Sequence, residues 1–161
     1  MYMQELGRQL LRRWYEDIVD SNGKTVYVVR PAGPEESEKG ADFFIVSNEL
    51  ESKYLKIKTD KTTKDNNLVS LELYKENDQL EIGEAMQTFP DYFFYWIYPT
   101  AELLYWNPSE LNPYLMKQVI EIKNFFSHTI KIEKSELLET GLVRSHTISG
   151  NLLQDILEKN N

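Results

Sequence analysis

The chain has 161 residues, 41% of them hydrophobic and 12% aromatic, with a formal net charge of −8 and no cysteine. Length and apolar content suit one folded domain over residues 1–161 and exclude a disordered chain. The lack of cysteine excludes disulfide scaffolds and thiolate zinc sites, and the acidic balance weighs against nonspecific attraction to a phosphate backbone.

In chain order, Leu6, Leu10, Leu11, Trp14, Tyr15 and Ile18 fall near one stripe of an amphipathic helix over Met3 to Val19. Asp20-Ser21-Asn22-Gly23 stops it, Gly23 suiting a left-handed turn. Thr25 to Arg30 is a β-branched run and reads as a strand, and the polar stretch Pro31 to Gly40 reads as a loop. Ala41 to Ser47 and Lys53 to Thr59 are the next two strands, joined by an acidic turn at Asn48 to Ser52. Lys61 to Asn67 reads as an exposed basic loop. Leu68 to Tyr74 alternates, with Val69, Leu71 and Leu73 on one face and Ser70, Glu72 and Tyr74 on the other.

A polar stretch containing Gly83 leads to an aromatic strand, Tyr92 to Tyr98, which Pro99 stops. Ala101 to Trp106 is its expected hairpin partner. Ser109 is a candidate cap for a helix from Glu110 toward Phe126, with Pro113 in its first turn or breaking it there. Thr129 to Ile132 reads as a short strand, and Ser149 or Asn151 caps a terminal helix, Leu152 to Lys159. The order predicts an α/β domain with a mixed sheet flanked by helices. The first residues lack a signal-peptide pattern, and Tyr92 to Tyr98 is too short for a bilayer, which needs roughly 20 residues. A cytoplasmic protein with no membrane contact is the expectation.

The informative stretch is Tyr54-Leu55-Lys56-Ile57-Lys58-Thr59-Asp60, preceded by Asp42 at the head of the strand before it. Alternation puts Lys56 and Lys58 on one face and Leu55 and Ile57 on the other. Glu5 on the first helix, Asn67 ending a polar loop, Glu72 on the following strand and Asp91-Tyr92 opening the aromatic strand complete an ordered set. This set resembles a phage and bacterial branch of the PD-(D/E)XK, or restriction-endonuclease-like, nuclease superfamily. The resemblance implies a restriction-endonuclease-like mixed sheet. It also implies an Asp and a Glu holding Mg²⁺ or Mn²⁺, and a Lys two residues after the Glu that helps place the attacking water. Asp42 matches the Asp and Lys58 the Lys. The Glu position holds Lys56.

That departure removes a ligand and places an ammonium at the cation position, where it repels a metal. Lys56 then fills the cation hole, pairing with Asp42 or Glu72, and no metal is bound. Alternatively Lys56 is an ordinary strand lysine facing water. An active site rebuilt from Asp42, Glu72 and Lys58, with Glu5 approaching from the side, is a further alternative, and only that one needs Mg²⁺ or Mn²⁺. Asp60 caps the loop after its strand or joins the site. Arg8, Arg12, Lys61 and Lys64 are the basic residues best placed to meet a phosphate backbone. The aromatic run at Tyr92 to Tyr98 either stacks bases or is a buried strand. His128 and His146 are not at a metal-pair spacing.

Three readings remain on these residues. The chain is a nuclease-like protein with lost or impaired hydrolysis that binds a nucleic acid or a protein, one version being an acidic inhibitor of a host nucleic-acid-binding enzyme; or it is an active nuclease; or it is a structural domain in which the motif is a chance match.

Overall fold

The computed structural model describes residues 2–76, 80–121 and 129–159. Helix α1 (Tyr2–Glu16) comes first, then β1 (Tyr27–Pro31), the short α2 (Pro34–Glu38), β2 (Phe43–Ser47), β3 (Ser52–Asp60) and the short α3 (Thr63–Asn66). Next are β4 (Leu68–Glu72), β5 (Tyr74–Glu76), β6 (Leu80–Ile82) and a 3₁₀ turn at Glu84–Met86. Then come β7 (Tyr92–Ile97), β8 (Glu102–Trp106), α4 (Pro108–Glu121), β9 (Thr129–Glu133), α5 (Lys134–Glu139), β10 (Arg144–Thr147) and α6 (Gly150–Glu158). Among the described residues no helix is long and apolar enough to cross a membrane.

The chain is α/β, with six strands in one mixed sheet ordered β1-β2-β3-β7-β8-β10. β1, β2 and β3 form an antiparallel meander. β7 lies parallel to β3, Leu55 opposite Tyr92 through Asp60 opposite Ile97. A parallel pair cannot be joined by a hairpin, so the chain between them crosses one face of the sheet. β4 lies in that crossover. The sequence places Glu72 on a strand adjoining β3; here β4 pairs with β9 in a separate two-stranded sheet. The seat beside β3 goes to β7, whose residues Phe93 to Ile97 are all buried and need cover on both faces.

Two cores follow from the alternation. On one face Leu6, Leu10 and Leu11 of α1 pack on Leu55, Ile57, Phe94 and Trp96. On the other, Val69, Leu71 and Leu73 pack with Phe93, Tyr95 and Trp106. The expected loop at Pro31 to Gly40 contains α2, which starts at Pro34, a residue suited to a first helical turn. The expected basic loop at Lys61 to Asn67 contains α3, which ends on Asn67 in the left-handed region at φ 58°. α4 is capped by Asn107 rather than Ser109, since Asn107 Oδ1 accepts the Ser109 N–H at 2.9 Å. Its expected continuation to Phe126 lies outside the described residues, as does His128. Ser149 caps α6, its Oγ accepting the Leu152 N–H at 3.3 Å.

α1 approaches the sheet most closely at Gly7, where a Cβ would lie 2.0 Å from Thr59 Oγ1. A methyl group there lifts the helix or turns the threonine. We expect Gly7→Ala to destabilise the fold by about 1–3 kcal/mol in urea unfolding. Adding Thr59→Ala removes the clashing oxygen and recovers most of the loss. Unchanged stability in the single variant would place α1 elsewhere.

Candidate functional site

β3 outruns β2. Their ladder ends with Phe43 opposite Leu55, so Ile57 and Thr59 turn backbone groups toward an edge on which none of the described strands lies. Two side chains take the place of the missing strand. Asp42 donates its own N–H to the Leu55 carbonyl at 2.7 Å, and its Oδ2 accepts the Ile57 N–H at 2.8 Å. Gln4 of α1 donates to the Ile57 carbonyl at 2.5 Å and accepts the Thr59 N–H at 3.4 Å. Buried backbone groups demand such partners, and this demand anchors Asp42 at the strand end.

Continuing the register puts Asp42 opposite Lys56, on the face that carries Lys56 and Lys58. The Asp42 side chain is 7% exposed and also meets Arg8 Nε at 3.3 Å. Lys56 Nζ stands 3.8 Å from Asp42 Oδ2 and 3.9 Å from Glu84 Oε2. Lys58 Nζ stands 3.3 Å from Glu84 Oε1 and donates to the Ser70 carbonyl at 2.9 Å. It also sits 5.9 Å from the centre of the Tyr95 ring. The result is an alternating chain of charge: Arg8, Asp42, Lys56, Glu84, Lys58. At 15% exposure Lys56 is not a strand lysine facing water.

Glu84 is the carboxylate that the sequence reading missed. It rides on the 3₁₀ turn, which Gly83 lets settle against β4. A Cβ at Gly83 would lie 2.5 Å from the Glu72 carbonyl oxygen. A glycine directly before an acidic residue was the available signal. Gln4 left no signal beyond its place in the first helical turn.

The structure brings Asp42, Lys56, Lys58 and Arg8 together, with Glu5 joined only through Arg8, and leaves Glu72, Arg12, Lys61 and Lys64 outside. The Glu72 side chain pairs with neither lysine. Glu5 is 58% exposed and meets Arg8 at 3.7 Å; it lines a shallow groove of about 380 Å³ with Arg8, Arg12, Ser37 and Asp42, and neither Lys56 nor Lys58 lines that groove. Arg12 pairs with Glu16 at 2.6 Å and Lys64 with Asp65 at 3.0 Å. Lys61 is exposed and has no ion pair among the described residues. His146 packs on the Trp14 ring at 4.7 Å.

These residues do not fit a divalent cation. Asp42 already serves Arg8, Lys56 and the Ile57 N–H. Among the described residues no three His, Asp or Glu side chains converge.

Asp60, at the far end of β3, caps the loop as one of the alternatives required. It accepts the Thr62 N–H at 2.6 Å, the Thr62 hydroxyl at 2.7 Å and the Thr63 N–H at 3.3 Å. The Tyr95 hydroxyl donates to its other oxygen and accepts the Ser70 N–H at 3.2 Å. Burial pushes the Asp60 carboxyl up, but the bonds from Tyr95, Thr62 and Thr63 outweigh it and hold the group below the usual carboxylate range. The Tyr95 hydroxyl is pushed up, first by burial and then by its bond to Asp60.

Two outcomes are expected. Asp42→Ala strands the Ile57 N–H and unbalances Arg8 and Lys56, costing about 2–4 kcal/mol in urea unfolding; Asp42→Asn keeps an acceptor and costs less. Tyr95→Phe removes a donor that depresses Asp60. A depressed carboxyl stabilises the fold above its unfolded value, and that contribution is lost as pH falls through the folded value. The stability gap between the original and Tyr95→Phe is therefore widest near neutral pH and narrows below about pH 4. A gap that stays constant through that range would remove Asp60 from the network.

No family model, curated protein or solved structure matches this chain.

Proposed function

We propose that this chain is a nuclease-like protein that acts by binding in nucleic-acid metabolism, without metal-dependent phosphodiester hydrolysis. One observation carries the reading: Lys56 Nζ stands between Asp42 and Glu84, at 3.8 and 3.9 Å. Hydrolysis of this type needs a hard cation held by oxygen ligands. An ammonium between the same carboxylates supplies their counter-charge and repels a second cation. Lys58, which the resemblance assigns to the attacking water, is turned to Glu84 and Ser70.

A second reading has its own support. Of the four basic residues expected to meet a phosphate backbone, Arg8, Arg12 and Lys64 are each paired with a carboxylate. With a net charge of −8, the surface then suits a protein that blocks a nucleic-acid-binding enzyme by imitating its polyanion.

Calorimetry with Mn²⁺ tests the first reading. The unmodified chain is expected to give no binding heat and no cleavage of single- or double-stranded substrates. Lys56→Glu gathers three carboxylates at one point. That variant is expected to bind Mn²⁺ and to melt at a temperature that rises with metal concentration. Metal binding with cleavage by the unmodified chain would restore the active nuclease, and a Lys56→Glu variant that ignores Mn²⁺ would sink the inherited site.

A further inference from the structure

The opposite face of the sheet carries a cavity of about 390 Å³ under the C-terminal end of α1. Tyr15 of α1, Tyr27 of β1, Tyr92 of β7 and Tyr105 of β8 line it, with Trp14 and Phe94. The register explains the convergence. Tyr27 pairs with Ser47, Tyr92 with Leu55 and Phe94 with Tyr105, all on the face that α1 covers. The rings brace one another: Tyr15 meets Tyr27 edge-on at 5.1 Å and Phe94 stacks on Tyr105 at 5.7 Å. Their positions are set before any ligand arrives, which lowers the cost of binding.

Among the described residues none of these four hydroxyls bonds to the protein, and none is sealed from the cavity or solvent. The Tyr15 hydroxyl is pushed up by burial and then by the phenols of Tyr27, Tyr92 and Tyr105. It therefore stays protonated and able to donate at neutral pH. Each phenol both donates and accepts. Glu51 and Lys53 stand at the rim with opposite charges.

This chemistry selects a ligand. A purely apolar molecule would strand the hydroxyls. A strongly charged one would meet no buried counter-charge. A flat ring with donors and acceptors around its edge satisfies both the phenols and the aromatic walls. The volume suits one such ring with a small substituent, given that ligand pockets start at roughly 300 Å³. We infer that this cavity binds a nucleobase, presented by a free nucleoside or by an unpaired base of a single strand. The aromatic strand Tyr92–Ile97 thus serves both the core and the ligand. The inference stands apart from the ion-pair cluster on the other face, and either can fail alone.

The test is calorimetry of the full chain with adenosine, uridine, ribose and a short single-stranded oligonucleotide. Nucleosides are expected to bind and ribose is not. Tyr15→Phe and Tyr92→Phe keep the ring and lose the hydroxyl. Each is expected to weaken nucleoside binding about three- to ten-fold with an unchanged melting temperature. A strand that binds more tightly than the nucleoside identifies an unpaired base as the occupant; a nucleoside that binds where the strand does not identifies a free metabolite. Absence of binding by every nucleoside and by the strand overturns the inference. So does binding that neither Tyr→Phe variant alters, or ribose binding as well as the nucleosides.

Discussion

A central strand longer than its neighbour sets the terms for this fold. Past Leu55, β3 has β7 on one side and, among the described residues, no strand on the other. The exposed edge needs donors and acceptors, and a bare buried edge costs about 1–3 kcal/mol for each unmet group. Asp42 and Gln4 meet it from two directions, one from the chain entering β2 and one from α1. Their bonds fix α1 across the sheet, and Gly7 lets it settle onto Thr59. The carboxylate of Asp42 is thus held in place by backbone chemistry before any question of function arises.

That placement has an electrostatic consequence. A buried carboxylate requires compensation, and Arg8 and Lys56 provide it from opposite sides. Lys56 and Lys58, pointing under the second layer, require anions in turn, and Glu84 answers both. Counting Glu5, three cations meet three carboxylates. A cluster already matched charge for charge has little to gain from a divalent ion. Buried ion pairs add little net stability, but removing one partner is costly, so the cluster is easier to keep than to dismantle.

The two faces of the sheet do different work. The face under the crossover holds paired charge around β3 and the Asp60–Tyr95 network. The face under α1 holds the second apolar core and opens at one end into phenols whose hydroxyls bond to none of the described residues.

Much of this was legible in the sequence because it is local. The stripe of α1, the alternation of Val69, Leu71 and Leu73, the hairpin of β7 with β8, the Ser149 cap and the shared face of Asp42, Lys56 and Lys58 all follow from periods of 3.6 and 2 and from turn chemistry. What the tertiary structure alone decided is which distant segments meet. Periodicity says which face a residue occupies, not which strand lies beside it. The parallel pairing of β3 with β7 displaced β4 into a second layer, and that displacement put Glu84 rather than Glu72 against the lysines. Gln4 became an edge partner only because α1 crosses β3 where β2 has ended. Four tyrosines from four elements share one cavity because the sheet register and the docking of α1 are set by burial across the whole chain, a sum to which no single segment holds the key.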